Sequence, residues 1–240
     1  MEKINLTKFI ADQSNYSRRQ AESLIRKGLI RVNGRIAELG EKVDLKTKVE
    51  IDGKEITPST KKIYLKLNKP VGYVCSNKFF KGEQNIFSLI NIKDRLFSIG
   101  RLDKDSCGLI LLTNDGDLTY KLTHPKFEHQ KTYLIVLERD ANLKNENNIK
   151  KIENRFKSGI DIGEKTLAKV KRIEFLSENE VKIVLTEGKK RQIREMFKFF
   201  ELKIIKLQRI NFAGIELGSL EKGKWEYLNN QEIELLKNKK

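Results

Sequence analysis

Apolar and polar positions in the first sixty residues follow a pattern that predicts two short helices and then small hairpins. Residues 4–12 carry apolar side chains at near-helical spacing, and a second amphipathic segment begins after Ser17. Ser17 is a plausible N-cap, and Gly28 is the expected end of that helix.

Two dipeptides, Asn33-Gly34 and Asp52-Gly53, follow short alternating segments. Both are typical of tight hairpin turns, because these residues tolerate positive φ angles. Helices followed by hairpins predict a compact module over residues 1–58.

The polar segment TPSTKK contains one of only three prolines and predicts a linker, placed at residues 59–62. A second domain is expected over residues 63–240. Strands are predicted at 63–76 (broken at Lys69-Pro70), 109–113, 132–138, 168–175 and 181–186, and helices at 116–122, 145–157, 188–200 and 230–238. Strands interspersed with helices, without a regular βαβ alternation, indicate an α+β fold.

The overall charge points to a polyanionic partner. The 240 residues include 49 Lys and Arg against 33 Asp and Glu, a net charge of +16, with 38% hydrophobic residues. Genome composition is an alternative source of part of the lysine, since asparagine and isoleucine are also abundant. Nucleic acid is favoured over an anionic membrane, because no segment resembles a basic amphipathic anchor.

Much of this charge is concentrated between residues 17 and 35, where Glu22 is the single acid. The six cationic residues are Arg18, Arg19, Arg26, Lys27, Arg31 and Arg35. A charge run can be a solvated face, but one of nearly uniform sign that spans a helix and a hairpin favours contacts with phosphates.

Several functional classes find no support in the sequence. The start lacks a signal-peptide pattern, and no apolar run approaches the ~20 residues of a membrane span. GxGxxG and P-loop motifs are missing, so no nucleotide cofactor is expected. Cys75, Cys107, His124 and His129 lack metal-ligand spacing, so we expect no metal, reduced thiols and a cytoplasmic location.

The segment GRLDKDSCGLILLTNDG, residues 100–116, places three aspartates around an apolar run. Glycines on both sides of RLDKDSC allow a tight loop, and a carboxylate held before a buried strand is well placed as a nucleophile or base. The alternative is that Asp103, Asp105 and Asp115 only form turns or caps. Asp115 fits a turn and helix cap best.

Two further segments contain candidate site residues. In HQKTYLIVL, Tyr133 either belongs to the core of a partly buried strand or stacks on an unpaired base. In EGKKRQIREM, Lys189, Lys190, Arg191 and Arg194 stand near a helix N-terminus, where the helix dipole favours acids. They indicate an anionic ligand, an internal carboxylate partner or a solvated helix end.

Together these segments resemble the pseudouridine synthases of the RsuA/RluB/RluE/RluF family. GRLDKDSCGLILLTNDG, HPKFEHQKTYLIVL, EGKKRQIREM and LQRINFAGIELGSLEKGKW are similar to its motifs and occur in the same order. The resemblance implies that Asp103 is the catalytic carboxylate, that Tyr133 is the active-site tyrosine and that Arg194 pairs with Asp103. Further substrate contacts are expected from Arg101, Leu102, Lys131, Arg191 and Leu207.

The segment SRRQAESLIRKGLIRVNG resembles an S4 RNA-binding domain. RNA contacts are expected at Arg18, Arg19, Lys27, Arg31 and Arg35. The implied architecture is a small N-terminal S4 (α-L) module joined to a catalytic domain with a mixed, mainly antiparallel sheet. Two departures from the family pattern are Gln130, where Glu is more common, and Glu195, where a second basic residue is usual.

The resemblance implies isomerisation of a specific uridine to pseudouridine in ribosomal RNA, without a cofactor, by a monomer. The KDS and GLI residues favour the RluF-like branch and therefore 23S rRNA. Whether Asp103 attacks C1′ or removes a ribose proton stays open. The alternatives are the same reaction on 16S rRNA or tRNA, or a non-catalytic RNA-binding or ribosome-assembly factor.

Overall fold

The protein forms two compact units in a computed structural model. The structure describes residues 3–56, 61–78, 80–138, 143 and 145–239. The first unit contains residues 1–63, 92–96 and 114–116, and the second contains the remainder. The expected linker, 59–62, lies partly outside the described residues, and the expected domain boundaries stay a prediction.

The first unit combines two helices with short strands. Its elements are β1 (Ile4–Asn5), α1 (Leu6–Gln13), α2 (Arg18–Arg26), β2 (Ile30–Val32), β3 (Arg35–Ile36), β4 (Lys42–Val43), β5 (Val49–Ile51) and β6 (Lys54–Glu55). Strands β3, β2, β5 and β6 form an antiparallel sheet in that order, and β1 pairs with β4. Both predicted hairpin turns are confirmed, since each residue of Asn33-Gly34 and Asp52-Gly53 has a positive φ.

Helix α2 has the ends that the sequence predicts. The Ser17 hydroxyl accepts a hydrogen bond from the Gln20 amide at 3.2 Å, and the Gln20 side chain accepts one from the Ser17 amide at 2.8 Å. The helix ends before Gly28, whose φ is 69°. Ala21 and Ile25 pack into an apolar core with α1 and the small sheet.

The second unit is larger and is organised around one sheet. Its elements are β7 (Tyr64–Lys69), β8 (Tyr73–Val74), β9 (Gln84–Asn85), β10 (Phe97–Ile99), β11 (Cys107–Thr113), α3 (Gly116–Thr123, whose first residue clusters with the first unit), β12 (Lys131–Leu137), α4 (Glu146–Ser158), β13 (Arg172–Phe175), β14 (Glu180–Leu185), α5 (Gln192–Lys198), β15 (Ile204–Phe212), β16 (Ile215–Glu216), β17 (Trp225–Tyr227) and α6 (Asn230–Asn238). Short 3₁₀ helices cover Ile86–Leu89 and Pro125–Phe127.

Within the described residues, nine strands of this unit form one mixed sheet. The order is β13-β14-β12-β15-β11-β7-β17, with β10 added to β11 and β16 added to β15. All neighbours are antiparallel except β11 and β15, which run parallel. The expected α+β class with a mainly antiparallel sheet is confirmed.

Two apolar clusters fix helices to this sheet. Ile152 and Phe156 of α4 pack with Met196 and Phe197 of α5, and the Phe156 and Phe197 rings lie 5.1 Å apart, edge to face. Helices α3 and α6 contribute to a second cluster with β7, β11 and the end of β15. Helix α5, which follows the basic segment, is therefore held at a defined position on the sheet.

Besides short strands such as β10 and β17, which were not predicted, two elements near the site differ from the sequence-based expectation. The predicted helix 188–200 begins only at Gln192, because Arg191 has a φ of 51° and cannot belong to a right-handed helix. The strand Ile204–Phe212 was not predicted, although it lies in the centre of the sheet. No helix among the described residues is both long and apolar enough to span a membrane.

Candidate active site

The loop between β10 and β11 positions Asp103. The amide of Ser106 donates a hydrogen bond to the Asp103 carbonyl at 3.1 Å, which closes a turn. Gly100 precedes this turn with a φ of 75°. Leu102 is buried in the apolar core, whereas Asp103 lies in the wall of a cavity. The core therefore anchors the loop one residue before the carboxylate.

A buried lysine also holds this loop. Lys69, at the end of β7, has no exposed surface. Its ammonium donates to the carbonyl oxygens of Ser106 at 2.6 Å, Pro70 at 3.0 Å and Lys104 at 3.4 Å. Burial lowers the pKa of Lys69. The backbone on both sides of Asp105 is thus fixed by one side chain.

Gly108 allows β11 to approach β15 closely. Its φ is 100°, and a Cβ at this position would fall against the carbonyl oxygen of Arg209 and 2.8 Å from its amide nitrogen. The two residues are partners in the parallel pairing. A glycine is needed here both for its φ angle and for the missing side chain.

The cavity beside the loop has a volume of about 780 Å³. Its wall includes all the residues that the sequence predicted for catalysis and substrate contacts: Arg101, Leu102, Asp103, Lys131, Tyr133, Arg191, Arg194 and Leu207. They come from two strands, helix α5, the turn that precedes it and the Asp103 loop, and their individual roles stay predictions. The cavity lies within the second unit.

The structure corrects the expected pairing of Arg194. Its guanidinium contacts Asp105, with Nε 3.2 Å from Oδ2 and Nη2 donating to the Asp105 carbonyl oxygen at 2.9 Å. Arg191 binds the same carboxylate through two hydrogen bonds of 3.0 and 3.3 Å. Within the described residues, no cation lies within ion-pair distance of the Asp103 carboxylate.

The physical reason lies in the turn. Arg191 ends this turn in a left-handed conformation and Arg194 lies on the first turn of α5, and both side chains reach Asp105, two residues beyond Asp103 on the same loop. Burial alone would raise the pKa of Asp105, but the hydrogen bond from Arg191 and the charges of Arg194 and Arg191 outweigh it and lower that pKa. Asp105, to which the sequence assigned no chemistry, is thus the ionised partner of both arginines.

The cavity floor is formed by cross-strand neighbours on β12 and β15. Tyr133 lies opposite Arg209, and Leu207 lies opposite Ile135. Tyr133 is 8% exposed and belongs to the apolar core, and it also lies in the cavity wall. The two sequence-based interpretations of Tyr133, core residue and base-stacking residue, are therefore compatible.

Lys131 introduces a second cation beside Arg209. Its ammonium donates to the carbonyl oxygens of His129 at 3.3 Å and Glu187 at 3.5 Å. Burial and the charge of Arg209 lower the pKa of Lys131 to about 8. At neutral pH Lys131 is therefore mostly charged, but it loses its proton at a lower pH than an ordinary lysine does.

In the first unit, every residue predicted to contact RNA is exposed: Arg18, Arg19, Lys27, Arg31 and Arg35. Two of them have partners, because Arg35 forms an ion pair with Glu41 and Arg31 donates to the Gly34 carbonyl oxygen at 2.8 Å. Arg18, Arg19 and Lys27 are thus the more accessible cations of this set.

Sequence reasoning missed three residues of the site: Asp105, Lys69 and Arg209. Arg209 and Leu207 are two positions apart on β15, the strand that was not predicted. Recognition of this strand would have placed both side chains on one face. Lys69 stands between an apolar strand and Pro70, where a lysine is typical of an exposed strand end. No local pattern indicates that it is buried.

Comparisons with known proteins agree with this fold. Residues 63–199 match the family of RNA pseudouridylate synthases, and residues 5–48 match the S4 domain. A Borreliella burgdorferi protein named uncharacterized RNA pseudouridine synthase is 39% identical over 96% of this chain and 92% of its own length.

Two named relatives are almost as similar. Dual-specificity RNA pseudouridine synthase RluF of Salmonella typhi is 35% identical over 95% of this chain and 76% of its own. Ribosomal large subunit pseudouridine synthase B of Bacillus subtilis is 34% identical over 97% and 95%. A crystal structure of a pseudouridylate synthase superposes with a TM-score of 0.69 at 32% identity, covering 97% of this chain and 99% of that one. The chain therefore belongs to the RNA pseudouridine synthases of the RsuA family and carries an S4 domain at its N-terminus.

Proposed function

We propose that this enzyme isomerises a specific uridine of 23S ribosomal RNA, with Asp103 as the catalytic carboxylate. The observation that supports this most directly is the convergence of Asp103, Tyr133, Leu207 and two arginines on one cavity. The cavity volume of about 780 Å³ can accommodate a nucleotide turned out of the RNA.

Asp103 has the environment that a reactive carboxylate requires. Its backbone is held by the turn to Ser106, and its side chain has no ion-pair partner among the described residues. The carboxylate either bonds to C1′ or removes the C2′ proton. In both routes the bond between C1′ and N1 breaks and its electron pair stays on the uracil ring. The uracil then turns and C5 bonds to C1′. In the first route this displaces the Asp103 carboxylate from C1′, and in the second route C2′ takes back its proton from Asp103. C5 finally loses its proton, and N1 gains one.

Tyr133 and Leu207 would contact the flipped base. Both line the cavity and belong to the apolar core, so their positions are fixed before the RNA binds. An aromatic ring that is held in this way stacks on a base at little entropic cost. Arg101 and Leu102, on the same loop as Asp103, would contact the ribose side of the nucleotide.

Arg194 and Arg191 act through Asp105 in this proposal. Their three contacts with the Asp105 carboxylate join helix α5 to the loop. The arrangement keeps two arginines near Asp103 without neutralising it. Arg191, which is 41% exposed at its side chain, remains available for a phosphate of the RNA.

The choice of 23S rRNA rests on relatives. The protein from Bacillus subtilis is named for the large ribosomal subunit, and the one from Salmonella typhi is named a dual-specificity enzyme. Identities of 35% to the RluF protein and 34% to pseudouridine synthase B do not separate the RluF-like branch from the branch of pseudouridine synthase B. The non-catalytic alternative conflicts with membership of an enzyme family and with an unpaired carboxylate in a cationic cavity.

The test is to map pseudouridines in total RNA from cells with and without the gene. We expect that deletion removes a pseudouridine from 23S rRNA and that the intact gene restores it. Loss of a pseudouridine only from 16S rRNA or tRNA would contradict the proposed substrate. Identical maps from both strains would contradict the proposed function itself.

A further inference from the structure

The proposed reaction produces a negative charge that Asp103 cannot stabilise. When the bond between C1′ and N1 breaks, the uracil ring receives the electron pair and its two carbonyl oxygens share the charge. A carboxylate next to the sugar would repel this anion. The opposite part of the cavity therefore needs hydrogen-bond donors that are already in place.

Arg209, which lines the cavity, has an unused donor. The residue is only 2% exposed, and its Nε donates to the Leu109 carbonyl oxygen at 2.7 Å. Its Nη2 is buried and has no hydrogen-bond partner among the described residues. A buried guanidinium nitrogen without an acceptor is costly, so its retention at a cavity wall points to an acceptor on a ligand.

The Arg209 guanidinium also lies beside an aromatic ring of the cavity wall. Its central carbon lies 5.0 Å from the centre of the Phe212 ring, and its backbone pairs with Gly108 on one side and Tyr133 on the other. The same residue that faces Tyr133 across the strands thus presents the free donor. No carboxylate within the described residues forms an ion pair with Arg209.

Lys131 adds positive charge at the same place. Its ammonium lies 5.9 Å from the centre of the Phe212 ring, so the two cations flank one aromatic side chain. Glu187, the acid whose charge acts on Lys131, accepts a hydrogen bond from Gln192 at 2.8 Å and pairs with Lys189 at 3.6 Å. The charges of Lys131 and Arg209 are therefore not neutralised within the cavity.

We propose that Arg209 rotates its guanidinium toward the bound nucleotide, so that Nη2 donates a hydrogen bond to a carbonyl oxygen of the target uracil, and that Arg209 and Lys131 together stabilise the detached uracil anion. This inference rests on the proposed placement of the uridine beside Asp103. It makes Arg209 a catalytic residue that contacts the base, separate from the arginines that hold Asp105. No bond to Arg209 forms or breaks, and its protons stay on the guanidinium throughout.

The proposal is tested with a synthetic RNA hairpin that carries the mapped uridine. The variants are Arg209→Gln, which removes the charge, and Arg172→Gln as a matched control on the exposed part of β13. The single-turnover rate at saturating RNA is measured by pseudouridine formation. RNA affinity and thermal unfolding are measured in parallel. We expect Arg209→Gln to lower the rate on the order of 100-fold with unchanged affinity, and the control to match the wild type.

A second substrate separates catalysis from folding. In a hairpin with 5-fluorouridine at the same position, fluorine withdraws electrons and makes the departing base a more stable anion. The rate deficit of Arg209→Gln, measured by loss of the 5-fluorouridine, should therefore be at least several-fold smaller on this RNA. A folded variant with the wild-type rate, or an equal deficit on both substrates, would overturn the proposal.

Two controls keep the outcome interpretable. If Arg209→Gln unfolds at the assay temperature, Lys131→Gln is subjected to the same comparison and the same two outcomes decide. Asp103→Asn tests the proposed function separately. An inactive wild type or an active Asp103→Asn variant refutes the proposed site. Full activity of Arg209→Gln beside an inactive Asp103→Asn refutes the role of Arg209 alone.

Discussion

Asp103 and Asp105 are two residues apart, but they have different environments. Asp105 contacts two arginines, which lower its pKa, whereas Asp103 lines the cavity without an ion pair among the described residues. Their order along the chain could not reveal this. The difference depends on the left-handed backbone of Arg191, which is formed on a distant segment.

The Asp105 contacts give a first prediction. Asp105→Asn should lower the single-turnover rate between about 10-fold and 100-fold, because helix α5 would no longer be held against the Asp103 loop by charge. Asp161→Asn is the control, since its side-chain oxygen can still accept the hydrogen bond from Gly163. An Asp105→Asn variant with the wild-type rate would show that this ion pair does not position the site.

Lys131 gives a prediction about pH. Its pKa of about 8 means that it loses its charge as the pH rises through that value, so the rate should fall above pH 8. A loss of folding stability caused by Lys131 does not explain this fall in rate. Its folded pKa lies below the ordinary value of about 10.4, so its contribution to stability increases as the pH rises from 8 to 10.4.

The control for this pH effect is Lys131→Arg. An arginine stays charged throughout this range, so the decline near pH 8 should disappear from the profile of the variant. The measurement is the single-turnover rate between pH 6.5 and 9.5, corrected for RNA hydrolysis. A decline at the same pH in both proteins would assign it to another group.

At the level of elements, local signals were predictable where the chain itself supplies the partners. The capping box of α2 and the hairpin at Asn33-Gly34 use residues within five positions of one another. The start of α5 and the strand Ile204–Phe212 depend on partners far along the chain. Arg191 contacts Asp105, and β15 forms its pairs with β11 and β12, so neither could be recognised locally.

The close approach of β11 and β15 gives a prediction about stability. Gly108→Ala should lower the free energy of unfolding by about 4 kcal/mol, from strain at positive φ and from overpacking against Arg209. Gly163→Ala is the matched control, since Gly163 also has a positive φ but open space around it, and it should cost about 1 to 2 kcal/mol.

Urea denaturation of both variants measures this difference. Equal losses of stability in Gly108→Ala and Gly163→Ala would show that the backbone angle alone matters at Gly108. The strand pairing would then have adapted to the added methyl group. The prediction requires the larger loss at Gly108, because its neighbour is backbone and cannot rotate away.

For the whole molecule, the motifs along the chain indicated the family, the fold class and the residues that meet in one cavity. They did not indicate the Lys69 anchor or the buried Arg209, since burial of a charge follows from the complete sheet. The net charge of +16 was informative only at this scale, because it indicates a polyanionic partner without indicating any particular contact.

The S4 domain gives a prediction about salt. The double variant Arg18→Gln, Arg19→Gln should bind RNA more weakly, and its plot of log affinity against log salt should be less steep by about 1.4 to 1.8. The control, Lys150→Gln with Lys151→Gln, removes the same charge from the exposed surface of α4. An equal change of slope in both would indicate general charge attraction instead of contacts by the S4 domain.

The most direct test of the central claim is the activity of Asp103→Asn on the mapped RNA. Asparagine keeps the shape of the side chain but can neither bond to C1′ nor remove a ribose proton. We predict that this variant binds the RNA with the affinity of the wild type and forms no pseudouridine in a single-turnover assay. Measurable pseudouridine from purified Asp103→Asn would contradict the account.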